Sequence, residues 1–140
     1  MKHIDIINDQ LLEEVSEQAK TSPRLRMNYN FHKSLDEKCH RMLNALEPDT
    51  DIPIHRHPKK DETIIILTGK AKVFTYNSKG TMEDYALLCR DGIGVIGVNI
   101  PQNTWHTIQC VEPCVLFECK EGPYVPHEEE GILNIVKSEK

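Results

Sequence analysis

Hydrophobic positions along this chain change period once, just after residue 20. Before that point Leu11, Leu12, Val15 and Ala19 recur at helical spacing, with Glu13, Glu14 and Glu17 on the opposite face. This predicts an amphipathic helix over 9–20. Asn8 or Asp9 suits its N-cap, and Thr21-Ser22-Pro23 ends it. Beyond it the period is two. Leu25, Met27, Tyr29 and Phe31 alternate with Arg24, Arg26, Asn28, Asn30 and His32, as in a strand with one apolar and one polar face. The polar face is either a solvated sheet edge or the wall of a pocket for a polar ligand. From residue 39 the pattern predicts short strands at about 39–47, 52–57, 62–68, 71–76, 83–89, 94–100, 105–111 and 114–120. The apolar run Ile64-Ile65-Ile66-Leu67 suits a strand covered on both faces, and Asn77-Ser78-Lys79-Gly80 suits a hairpin turn. Many short strands with one leading helix point to an all-β double-sheet jelly roll or small barrel.

The expected layout is an N-terminal helix and strand (1–38) packing on a barrel (39–124), followed by a C-terminal extension (125–140). One structural domain is the expectation at this length of 140 residues. The extension is polar through Glu128, Glu129 and Glu130. Its apolar piece, Ile132 to Val136, either adds an edge strand or docks on a neighbour.

Charge narrows the choice of partners. The net charge is −5 and no long basic run exists, which argues against nucleic acid and anionic membrane. No apolar stretch approaches the ~18 residues of a membrane span, and the first residues lack the apolar region of a signal peptide. The five cysteines are odd in number and form no CxxC pair. They read as reduced thiols in a cytoplasmic protein and mostly as small buried hydrophobes. Cys39, beside His40, is the one placed to line a pocket.

The chemistry lies in His55-Arg56-His57-Pro58-Lys59-Lys60-Asp61-Glu62 and in Pro101-Gln102-Asn103-Thr104-Trp105-His106. An HxH pair on a strand points both imidazoles to one face. Such a pair alone is weak evidence. With Glu62 and Gly69 at fixed spacing, the chance expectation falls to roughly 0.002 per chain of this composition. His106, from a second hairpin, completes a set of three nitrogens and one oxygen. Such a set suits one divalent transition metal among Fe, Mn, Zn, Ni and Co, and the sequence does not choose among them. Octahedral geometry would leave two positions open; tetrahedral geometry would fill the site.

These segments resemble the two motifs of the cupin superfamily. His55, His57, Glu62 and Gly69 match the first, with Asp49 at the position of its leading glycine. Pro101 and His106 match the second, with Val95, Asn103 and Cys110 departing from it. Asn103 can still make a left-handed turn. A longer resemblance, through Ser22-Pro23-Arg24-Leu25-Arg26, Asn30-Phe31-His32, Cys39-His40-Arg41, the segment Leu43 to Pro48 and Lys120-Glu121-Gly122-Pro123-Tyr124, is to the WbuC-like family of cupin-fold metalloproteins. That family is associated with bacterial surface-polysaccharide gene clusters. The resemblance implies a cupin double-stranded β-helix with a short N-terminal helix, a metal on the four matched positions and a homodimer.

A metal open to a small-molecule ligand needs groups that bind the ligand and move protons. His40, Lys120 and Tyr124 are the leading candidates for catalysis, with His32 and Glu47 behind them. Arg24, Arg26, Asn30, His32, Arg41 and Asn44 are candidates for binding, the arginines because a guanidinium fork grips carboxylate or phosphate. Asn44 stands in the apolar run Met42-Leu43-Asn44-Ala45-Leu46, and a buried amide must find a partner. The expected function is a metal-dependent enzyme, isomerase- or epimerase-like, acting on a small polar metabolite such as a sugar derivative. A metal-dependent oxygenase and a non-catalytic ligand-binding module are the alternatives.

Overall fold

In the computed structural model, residues 3–125 and 131–132 are described. Helix α1 (Asp9–Thr21) is followed by six strands: β1 (Arg26–Asn30), β2 (Cys39–Leu46), β3 (Glu62–Tyr76), β4 (Met82–Cys89), β5 (Gly97–Ile100) and β6 (Trp105–Glu121). Every pairing between these strands is antiparallel. The order is β1-β2-β6-β3-β4, with β5 also on β3.

The helix begins where the side chain of Asn8 accepts the Leu11 N–H at 3.0 Å, satisfying one of the donors that a helix start leaves open. It buries Leu12, Val15 and Ala19. These pack on Leu43 and Ala45 of β2 and on Val115 of β6. Burying each larger aliphatic side chain is worth about 1.5–3 kcal/mol, so this contact fixes α1 as a cover on the outside of the sheet. Met27 and Phe31 join the same cluster.

Side chains alternate across a strand, so the residues between these point the other way. Inside the curled sheet, Leu46, Ile64, Ile66, Val73, Ile108 and Leu116 belong to one apolar core. The predicted strands 62–68 and 71–76 are one strand, β3, and 105–111 and 114–120 are likewise one strand, β6. Their ladder shifts register between Ile66 and Ala71. Gly69 lies in that shift at φ 79°, and a Cβ there would collide with the Pro113 carbonyl. The two long strands therefore bend together where the sequence signalled a break. The predicted strand 52–57 is reduced to a bridge at His55, which pairs with His106 on one side and Ile132 on the other. Ile132 thus docks on this chain's own barrel edge; residues 126–130 and 133–140 lie outside the described residues.

All five cysteines are free thiols, with Cys89, Cys110 and Cys114 buried. Cys39 and Cys119 face each other across β2 and β6, Sγ to Sγ 3.9 Å.

Candidate metal centre and cavity

The two hairpins that carry the motifs meet back to back. His55 N–H donates to the His106 carbonyl at 2.9 Å, and His106 N–H donates to the His55 carbonyl at 2.8 Å. Opposed residues in such a pair project to the same face, so the two rings lie 4.3 Å apart between centroids. His57, two residues along, follows the same face. One ligating atom each from His55, His57 and His106 lies within 4.8 Å of the others, and all three residues are buried. Glu62, at the start of β3, brings Oε1 to 3.3 Å from His106 Nε2 and 3.7 Å from His57 Nε2. The four positions singled out in the sequence converge.

Two backbone carbonyls decide which nitrogens face this point. His55 Nδ1 lies 2.8 Å from the Pro53 carbonyl, and His106 Nδ1 lies 2.8 Å from the Thr104 carbonyl. A carbonyl only accepts, so each Nδ1 carries a proton and each Nε2 is the ring nitrogen left to face the cluster. His106 Nε2 is buried and faces Glu62 Oε1. Locking one ring nitrogen this way is what metal-ligating histidines require. Burial, reinforced by the neighbouring His106, holds the His55 imidazole well below its usual pKa and therefore neutral. Burial pushes the Glu62 carboxyl up, but the adjoining His106 ring and the charge of Lys120 outweigh this, leaving it well below the usual carboxylate range. Three imidazoles and one carboxylate, all buried and convergent, fit a divalent transition metal.

Next to this cluster opens a cavity of about 280 Å³. Its wall includes Arg24, Arg26 and Asn28 of the first strand region, Met42 and Asn44 of β2, Glu118 and Lys120 of β6, and Tyr124. The polar face of β1 is thus turned inward as far as Asn28. The Asn44 side-chain N–H donates to Glu118 Oε2 at 2.7 Å. Burial and the charge of Glu62 hold the Glu118 carboxyl well above the usual range.

Other candidates lie elsewhere. His40 does not line the cavity: its Nε2 lies 3.1 Å from the Leu35 carbonyl, and its ring stacks on His32 at 4.1 Å. His32 is buried and its Nδ1 accepts the Arg41 N–H at 3.2 Å. This pair braces the 31–38 segment. Arg41 points to Glu37, half-buried, at 3.7 Å. Asn30 is exposed and Glu47 lies off the cavity wall. Cys39 is also off that wall. Toward the end of β1 the strand face no longer overlooks the cavity, which is why alternation alone carried Asn30 and His32 too far. Asn28, on the polar face that the alternation outlined, does line the wall, and Glu118 is a wall residue that the sequence did not single out. Glu118 carried the same signal as Asn44, a polar residue between the apolar run Val115-Leu116-Phe117 and Cys119.

No curated protein matches the sequence. Among solved structures, the chain is similar to the TT1209 protein from Thermus thermophilus, with TM-score 0.60 and 21% identity over 82% of this chain and 95% of that one. It is similar to an oxalate decarboxylase variant from Bacillus subtilis, with TM-score 0.56 and 15% identity, covering 78% of this chain but 28% of that one. The cupin domain of Cnp3 from Schizosaccharomyces pombe gives TM-score 0.54 and 13% identity, over 69% of this chain and 64% of that one. The fold is that of a cupin barrel with a short N-terminal helix. Among the described residues no helix is long and apolar enough to cross a membrane. A family model described as a domain of unknown function, DUF6016, matches residues 7–88, from the helix through His55, His57 and Glu62 into β4, and the chain belongs to that family.

Proposed function

We propose that this protein is a metal-dependent enzyme whose active site is the cavity beside His55, His57, Glu62 and His106, and that its substrate is a small hydroxylated metabolite. One observation carries this reading. The imidazoles of His55 and His106 are oriented by carbonyls at Nδ1 and gather with His57 and Glu62 at the wall of a polar cavity. A divalent ion held there would polarise a bound hydroxyl or carbonyl oxygen.

The chain's own groups do the rest. Asn44 and Asn28 offer amides to orient the substrate. Glu118, Lys120 and Tyr124 are the wall residues able to exchange a proton with it, and they replace His40 in that role. Pairing of Glu118 with the Asn44 amide keeps its carboxyl in one orientation. The resemblance to the WbuC-like family makes a carbohydrate derivative linked to surface-polysaccharide synthesis the favoured substrate, with isomerisation or epimerisation the favoured chemistry and a cytoplasmic homodimer the favoured form.

Metal analysis tests the reading. Protein purified from its own host should hold about one transition-metal ion per chain, and His57→Ala should lower that content at least about tenfold. A wild-type chain that stays empty after dialysis against Mn²⁺, Fe²⁺ and Zn²⁺ would sink it.

A further inference from the structure

We infer that the cavity selects a substrate bearing an anionic group, a carboxylate or a phosphate ester, together with at least one hydroxyl. Arg24 and Arg26 hold the anion and Asn44 reads the hydroxyl. This rests on the cavity being the active site proposed above.

The first ground is charge. The chain carries a net −5, yet Arg24, Arg26 and Lys120 all line one small cavity. The titratable groups facing them there are Glu62, Glu118, His55, His106 and Tyr124. Both carboxyls are already engaged, Glu62 with the imidazoles and Glu118 with the Asn44 amide. Among the described residues no carboxylate lies within ion-pair distance of either arginine. Two arginines therefore line the cavity with donors left over, even with the charge of Asp51 acting on Arg26, and a planar fork of donors matches a carboxylate or phosphate.

The second ground is pre-organisation. Arg26 Nη1 donates to Thr50 Oγ1 at 3.2 Å and to the Asp51 carbonyl at 2.9 Å, which fixes one arm of the fork. Between the arginines, Leu25 sits at φ 56°, a conformation that leucine rarely adopts. Surrounding bonds hold it there: Leu25 N–H to the Ser22 carbonyl, Glu47 N–H to the Leu25 carbonyl, and Thr50 Oγ1 to the Arg24 carbonyl at 2.6 Å. Strain maintained by its surroundings is typical of ligand-binding segments.

The third ground is an acceptor. Asn44 is only 9% exposed, and its Oδ1 is buried with no partner. Its N–H already goes to Glu118, and Asn44 lines the cavity, so its unpaired oxygen calls for a donor such as a hydroxyl. The volume of about 280 Å³ is at the small end of ligand pockets, which suits one sugar-sized unit.

The test is calorimetric titration of Mn²⁺-loaded and metal-free protein with four probes: gluconate, glucose 6-phosphate, glucose and inorganic phosphate. Gluconate or glucose 6-phosphate should bind at least tenfold more tightly than glucose and inorganic phosphate, and the tighter of the two identifies the anion. The double variant Arg24→Gln/Arg26→Gln should weaken that binding at least tenfold while keeping wild-type metal content. Arg26→Lys and the single Arg24→Gln give the same reading should the double variant fold poorly. Asn44→Leu should weaken binding of hydroxylated anions but not of inorganic phosphate. Equal affinity for glucose, no binding of either hydroxylated anion, or unchanged binding in the arginine variants overturns the inference. The metal-free titration judges the arginines even if no metal loads, so failure of the metal reading is seen separately, in the metal content.

Discussion

Strand β6 runs through two different interiors. Cys110 and Leu116 point into the apolar core, whereas His106, Glu118 and Lys120, on the same inward period, face the cavity, and Ile108 belongs to both. Strand β3 repeats the contrast, with Glu62 at one end and Ile64 and Ile66 following it. Both regions lie on the same antiparallel ladder, so the difference lies mainly in side-chain chemistry. At the apolar end burial is favourable by itself. At the polar end every buried group costs free energy unless paired, and the chain supplies most of the pairs (imidazole to carbonyl, carboxylate to imidazole, amide to carboxyl) while leaving the Asn44 oxygen open. The apolar end should therefore carry stability and the polar end chemistry, in the same strands and only a few residues apart.

The sharpest way to break this division is a reciprocal pair of substitutions. His57→Ala should abolish turnover and metal retention, while the metal-free protein changes in stability by only about 1 kcal/mol. Ile66→Ala, wholly buried in the core, should cost about 2–5 kcal/mol in urea unfolding and leave metal content at wild type. Equal losses of both properties in both variants would mean that the two ends are one cooperative unit. Glu118→Gln probes the boundary. The amide keeps an acceptor for Asn44 but removes a buried carboxyl, so unfolding free energy should stay within about 1 kcal/mol of wild type or rise. Turnover should fall by about 10²–10⁴-fold if Glu118 exchanges protons with substrate. Loss of stability without loss of turnover would make it a brace.

This division also explains which features could be read from the sequence. Helix α1 was legible to within a residue because an amphipathic stripe, a cap and a proline all agree. The convergence of His55, His57, Glu62 and His106 was legible because fixed spacing survives any choice of strand boundary. The cavity wall was only half legible. Alternation told that Arg24 to His32 share a face, but only the pairing of β1 with β2 shows which part of it overlooks the cavity. The fusion of strands at Gly69 was hidden because a glycine between two apolar runs signals a turn and a bend equally well. His40 was misplaced for a related reason: its burial against His32 and Gly122 depends on how the 31–38 segment folds back, which no local pattern encodes.

His40 supplies the smallest effect, a buried titratable ring away from both interiors. Burial, and then the charge of His32, hold its pKa below the usual value of about 6.5. The unfolded chain therefore takes up a proton near pH 6.5 that the folded chain resists. Stability is fully present above that pH and falls as the solution is acidified through it. In His40→Gln the slope of metal-free unfolding free energy between pH 7 and 5 should flatten, with metal content at pH 7 unchanged. An unaltered slope would place the acid sensitivity in the buried ligand histidines instead. The polar end, rather than the brace beside it, would then set the pH at which the barrel opens.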